Sequence, residues 1–302
     1  MQGYFAICYH CNQNCITCPS SSEEKNNKFI EFNVFKSNVL TAVNRGMNRI
    51  VLSGGEPFSH PRIKDILIFL SKLNISITIL SNGSLIDESY LKLLKRMRNR
   101  LRIVTAIHSN SAEVHDMVTG INGNFLKTIN NLKRLNENGI SIGIKIILNK
   151  LNINSLKSIS LLLENNFKYR FNINICGMDY CGKANKHLDL ILSKDEIQKG
   201  LDEYVKWYVN SRKSKFSICI TELPLCFSTR DSIAFFQIKQ SRNQFAYQAG
   251  NSNSSVFFNA PYDCYPQCER CLECLFYKIC PGIWTSTKEI YKKNLIPLKE
   301  CD

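Results

Sequence analysis

Short β-branched runs alternate with amphipathic helical stretches along most of this chain, and that alternation limits the fold more than any other feature. The strand candidates are Tyr4–Tyr9, Arg49–Leu52, Ser76–Leu80, Leu101–Ile107, Ser141–Leu148 and Arg170–Cys176. Helical spacing fills the gaps at Glu31–Gly46, Arg62–Leu73, Asp87–Met97, Asn124–Gly139 and Asn154–Asn165. Several of these stretches stop at a Gly or Asn, as at Gly46 and Gly139, residues that accept the left-handed backbone of a helix end. Strand followed by helix, repeated in this way, predicts a parallel sheet with right-handed crossovers. A doubly wound sheet and a partial (β/α) barrel both satisfy the pattern.

Beyond the sixth strand the spacing predicts a helix over Lys194–Arg212 and a strand over Phe216–Leu223. Gln237–Asn259 then turns polar and reads as loop or linker. We place a domain boundary near residue 213, giving units of 1–213 and 214–302. The 302 residues suffice for either one large or two smaller cores, and the 44% hydrophobic content is that of a globular chain. No apolar run approaches the ~20 residues that span a bilayer, and Met1–Cys8 lacks the basic start of a signal peptide. The expectation is a cytoplasmic protein with no membrane partner.

Fourteen cysteines are present, and eight fall into two groups: Cys11, Cys15 and Cys18, then Cys264, Cys268, Cys271, Cys274 and Cys280. In a reducing compartment such clusters read as metal ligands rather than disulfides. The first group follows the first strand directly and supplies three thiolates from one loop. A closed zinc or iron–sulfur site needs four. Either a distant residue completes it, as in a structural zinc site, or one metal position stays open for chemistry.

Two more signals sit at the ends of the next strands. Gly54-Gly55-Glu56-Pro57 ends the second, where paired glycines permit close approach to the backbone and Glu56 would face a cation such as an ammonium group. Ser81-Asn82-Gly83 ends the third, where side-chain and backbone groups suit sugar hydroxyls. Each alone is also compatible with a plain turn. Together they occupy the carboxyl ends of consecutive strands, where α/β folds gather their active sites.

These three motifs, in this order, resemble those of the radical SAM enzymes over about residues 4–180. The resemblance implies a partial (β/α)6 TIM-like barrel holding a [4Fe–4S] cluster on Cys11, Cys15 and Cys18. S-adenosylmethionine would chelate the fourth iron, with Gly54, Gly55 and Glu56 around its ammonium and Ser81 and Asn82 near its ribose. One-electron reduction would then give a 5′-deoxyadenosyl radical that abstracts a substrate hydrogen, the electron coming from a donor such as flavodoxin or ferredoxin. His108, ending the fourth strand, holds a position from which family members approach the ribose or the carboxylate. Thr17 stands where the family often carries an aromatic residue.

The tail spacing Cys271-x2-Cys274-x5-Cys280-Pro-Gly resembles the core of SPASM and Twitch extensions, which implies one auxiliary [4Fe–4S] cluster in a small cysteine-rich extension. Trp284 stands where a full SPASM pattern would have a further cysteine, so a second auxiliary cluster is not expected. Cys226 is the expected fourth ligand, Cys268 its rival, with Cys264 and Cys301 spare; a zinc ribbon is the alternative. Radical SAM enzymes with such extensions mostly act on ribosomally made peptides, and short segments here resemble the maturases of His-Xaa-Ser-type systems. Only ten residues precede Cys11, so a precursor leader is expected to bind the barrel flank, the tail or a separate partner. The net charge of +14 keeps RNA modification open as an alternative, and a non-catalytic metal scaffold is a third reading.

Overall fold

The computed structural model describes residues 1–21, 28–211, 214–238, 244–248, 256–258, 269–296 and 298. Seven parallel strands form the frame: β1 (Gln2–Cys8), β2 (Arg49–Gly54), β3 (Ser76–Leu80), β4 (Leu101–Ala106), β5 (Ser141–Ile147), β6 (Phe171–Cys176) and β7 (Phe216–Thr221). They lie side by side in sequence order, each hydrogen-bonded to the next. On the far side of β1 the sheet continues into β8 (Gln244–Gln248), parallel to it, and β9 (Val256–Phe258), antiparallel to β8. β7 pairs with β6 alone among the named strands, so the sheet is a partial barrel and not a closed one.

Helices α1 (Phe32–Asn44), α2 (Ile63–Ser71), α3 (Glu88–Arg96), α4 (Ala112–Thr119), α5 (Asn124–Glu137), α6 (Leu156–Asn166) and α7 (Lys194–Asn210) form the crossovers, and α8 (Thr285–Tyr291) belongs to the tail. No helix among the described residues is long and apolar enough to cross a membrane. Three differences from the sequence expectation stand out. The strand at 216 joins the barrel sheet as its seventh strand. The polar stretch expected as loop contains β8 and β9, and α4 was not anticipated at all.

Strand alternation divides the sheet into two unlike faces. Ile50 and Leu52, Ile77 and Ile79, Ile142, Ile144 and Ile146 are all at most 1% exposed and belong to the apolar core shared with the helices. The alternate positions read Arg49, Val51, Ser76, Thr78, Leu80, Arg102, Val104, Ser141, Lys145, Asn174 and Thr221, a largely polar set that faces the concave side.

α7 shows how local signals and packing combine. Ser193 caps it by accepting from the Glu196 amide at 3.2 Å, while Glu196 Oε2 accepts from the Ser193 amide at 2.6 Å. Its buried face carries Ile197, Leu201, Tyr204 and Val205. Gly200 lies on this face, and a Cβ there would stand 2.5 Å from Cγ1 of the buried Ile153. Alanine is the better helix former by about 1 kcal/mol. Gly200→Ala should nonetheless destabilise the chain, by about 1–3 kcal/mol in urea unfolding, because the added methyl overpacks the contact. Ile153→Val in the same chain should recover part of that loss.

Candidate functional site

The first cysteine loop is held by backbone bonds from opposite sides. The Asn14 and Ile16 amides donate to the Thr119 and Val118 carbonyls at the end of α4, each at 2.9 Å, and the Lys183 amide donates to Cys18 O at 3.0 Å. Lys183 Nζ also donates to Asn14 Oδ1. Cys11, Cys15 and Cys18 are all partly buried and form no disulfide. Burial pushes the Cys11 thiol up to about 11 and raises Cys15 further, with Cys11 and Cys18 adding to the Cys15 shift.

Thiols that raise one another in this way are close neighbours, and a metal centre would relieve the cost by taking them as thiolates. Among the described residues no three His, Cys, Asp or Glu side chains converge on a single ion. Three thiolates from one loop are one short of a closed tetrahedral zinc site and match an iron–sulfur cluster with one iron left open.

Glu56 ties the three motifs together. Its carboxylate is fully buried; Oε1 accepts from the Phe58 amide at 2.9 Å and from Ser81 Oγ at 2.8 Å, and Oε2 accepts from the Asn82 amide at 2.7 Å. Asn82 Nδ2 donates to Asn12 Oδ1 at 2.8 Å and lies 3.9 Å from Cys11 Sγ. Asn12 Nδ2 in turn donates to Ser84 Oγ at 3.0 Å. The ends of β2 and β3 thus meet beside the cysteine loop.

The paired glycines serve this meeting directly. The Gly55 and Glu56 amides donate to the carbonyls of Cys8 and His10, each at 2.8 Å. A Cβ would stand 2.0 Å from Cys8 O at Gly54, whose φ is +133°, and 2.1 Å from His10 O at Gly55. On that side the close approach is made by the chain's own backbone.

His108 is 4% exposed, and its ring packs against His115 at 5.4 Å, which packs on Phe125. Burial lowers its pKa to about 3, so the ring is neutral, and Nδ1 has no hydrogen-bond partner among the described residues. Cys226 lies in the turn after β7, 9% exposed. Burial pushes its thiol up to about 12, with Cys280, Cys271 and Cys274 adding to the rise, so the tail thiols act electrostatically on Cys226. Cys280 Sγ accepts from the Leu225 amide at 3.3 Å, fixing the tail beside this turn. Cys264, Cys268 and Cys301 lie outside the described residues.

Several supporting residues had escaped the sequence reading. α4 carries a helix-start signal in Ser111 with Glu113 in the first turn, and a stop in Gly120 at φ +69°. Lys145 Nζ and Glu222 Oε1 form an ion pair at 2.9 Å. Beside them, Thr221 Oγ1 donates to Cys176 Sγ at 3.1 Å.

The Glu56 carboxyl has a testable signature in metal-free protein. Burial raises its pKa to about 7 against an ordinary 4.5, despite its three donors. Its contribution to stability is full below about pH 4.5 and is lost as pH rises through 7. Between these limits Glu56→Gln should flatten the dependence, and parent minus variant should fall by about 3 kcal/mol in denaturant titrations.

Comparison with known proteins follows the same residues. Antilisterial bacteriocin subtilosin biosynthesis protein AlbA of Bacillus subtilis is 28% identical over 138 residues, 46% of this chain and 31% of that protein. Fe-coproporphyrin III synthase of Methanosarcina barkeri is 26% identical over 200 residues, 64% of this chain and 47% of that protein. This chain therefore spans less than half the length of either. SuiB of Streptococcus suis, solved with S-adenosylmethionine, has the same fold at a TM-score of 0.68 and 16% identity, covering 100% of this chain and 77% of that one. The same protein bound to its precursor peptide SuiA matches at a TM-score of 0.60 and 18% identity, over 72% of this chain and 49% of that one. The family model of the radical SAM superfamily matches residues 6–163, which include all three strand-end motifs, and the chain belongs to that superfamily.

Proposed function

We propose that this enzyme reductively cleaves S-adenosylmethionine and modifies a ribosomally made peptide. The observation that carries the first half is the buried Glu56 carboxylate, hydrogen-bonded to Ser81 and Asn82 while Asn82 reaches Cys11. Cys11, Cys15 and Cys18 would hold a [4Fe–4S] cluster with one iron open to the amino and carboxylate groups of S-adenosylmethionine. When bound, that pair would supply reductive cleavage of S-adenosylmethionine and radical hydrogen abstraction from the substrate.

The chain's own part is positioning. Glu56 holds the end of β3 against the cysteine loop and presents negative charge toward an ammonium. Asn82 and Ser81 hold the ribose side, Gly54 and Gly55 keep β1 and β2 close enough for the loop to reach, and His108 supplies a neutral ring at the end of β4. Support for a peptide substrate comes from the bacteriocin relative and from the shared fold with SuiB, whose structure holds a precursor peptide. The unit from 214 onward would hold one auxiliary [4Fe–4S] cluster on Cys226, Cys271, Cys274 and Cys280, a reading supported by the electrostatic effect of the tail thiols on Cys226. A flavodoxin- or ferredoxin-type donor, a separate leader-binding partner and a cytoplasmic setting complete the proposal.

Replacing Cys11, Cys15 and Cys18 together by Ala should abolish 5′-deoxyadenosine formation by reduced, reconstituted protein under anaerobic conditions. Product from the triple variant would sink the assignment.

The two clusters should also be separable by iron content. Reconstituted chain should hold about eight irons, on the count of two four-iron clusters. Cys226→Ala should leave about half of that iron while cleavage without substrate survives, because the barrel thiols are untouched. Cys268→Ala should keep all of it. Zinc in the tail with four irons per chain would overturn the auxiliary cluster.

A further inference from the structure

The concave face of the sheet encloses a cavity of about 620 Å³. A closed barrel fills this space with layers of bulky branched side chains. Here the cavity is lined by Arg49, Arg98, Arg100, Arg102 and Lys145, with Glu222 the one acid among its described lining residues. Glu222 is already engaged by Lys145 at 2.9 Å. The remaining positive charge has no acid facing it within the cavity.

Arg102 is the sharpest case. Its guanidinium lies across Gly143, where an added Cβ would stand 2.9 Å from Nε. That Nε is buried and has no hydrogen-bond partner among the described residues. Burial, with Arg49 nearby, lowers the Arg102 pKa. A forked donor held like this matches a carboxylate or phosphate geometrically.

Two features favour a peptide carboxylate over a nucleic acid. No aromatic side chain is among the described residues lining the cavity, so the stacking surfaces that bind single-stranded RNA are missing there. Arg102 is also recessed within the sheet, with its Nε shielded from solvent, rather than lying along an open groove. The cavity runs from the strand starts at Arg49 and Ser76 to the strand ends at Cys176 and Thr221, and Pro281, next to Cys280, also lines it. A chain seated there would run along the concave face from the strand starts toward the end of β7 and the tail at Pro281.

We propose that this concave face is a binding chamber for an acidic segment of the substrate, whose Asp or Glu carboxylates pair with Arg49 and Arg102. The inference rests on the peptide reading above and narrows it to substrates that carry an acidic segment.

The test is binding alone, on the full chain, with a fluorescein-labelled hexaglutamate peptide followed by anisotropy at low ionic strength. Parent protein should bind it, and Arg49→Gln/Arg102→Gln should weaken binding about tenfold or more. Lys127→Gln/Lys133→Gln, exposed on α5, removes the same charge and should change binding less than threefold. Arg102→Lys, which keeps the charge and the fold, should retain part of the affinity. Equal losses in the two double variants would mean general surface attraction and overturn the proposal. Failure of hexaglutamate to bind the parent, or tighter binding of a hexauridine RNA, would overturn it as well. None of these readouts involves radical chemistry, so the chamber can fail while S-adenosylmethionine cleavage stands, and the reverse.

Discussion

A single buried carboxylate organises the catalytic end of this molecule. Glu56 has no solvent, and its oxygens are spent on the Phe58 and Asn82 amides and the Ser81 hydroxyl. A buried carboxyl without these donors would be left with unsatisfied oxygens at a cost of about 1–3 kcal/mol, so the donors stabilise this arrangement. Their positions fix the exit of β3 relative to β2. Through Asn82 and Asn12 they also brace the cysteine loop, which the end of α4 holds from another side. The same group that would face a ligand cation is therefore the group that assembles the site.

The sheet solves a second problem by keeping its faces chemically distinct. Parallel strands covered on both sides normally read as continuous apolar runs. Here Phe-Asn-Ile-Asn-Ile-Cys in β6 alternates, as does Ser-Ile-Thr-Ile in β3 until Leu80. The isoleucines carry the burial against the helices, and the polar partners line a space wide enough to hold a guest. The fold thus gains its stability from one face and leaves the other available.

Much of this frame was legible in the sequence. β3 is found at Ser76–Leu80 as expected, and the other five strands shift by one or two residues at their ends, because periodicity sets element type better than boundaries. Two kinds of feature were missed. α4 is short, and the segment around His108 had been weighed only for its histidine, so the Ser111 start and Gly120 stop went unused. β8 and β9 lie in a stretch rich in Gln, Asn and Ser, which local propensity assigns to loop; pairing with the edge of β1 overrides that preference. The alternation in β3, β4 and β6 was present in the sequence too. It was read as strand evidence, without the further step that both faces of a parallel strand are usually apolar. The link between Glu56 and the end of β3 could not be seen, since it depends on three-dimensional register.

Glu222 stands at φ +60°, a left-handed backbone that only glycine enters without cost. Its carboxylate grips Lys145 inside the sheet, and its backbone turns the chain out of β7 toward Cys226. One residue thereby sets both the charge balance of the concave face and the direction in which the tail departs. Glycine at this position would relax the backbone and orphan the lysine, whereas glutamine would keep the turn's strain and lose the charge. The two duties share one Cα, and glycine there would change both at once.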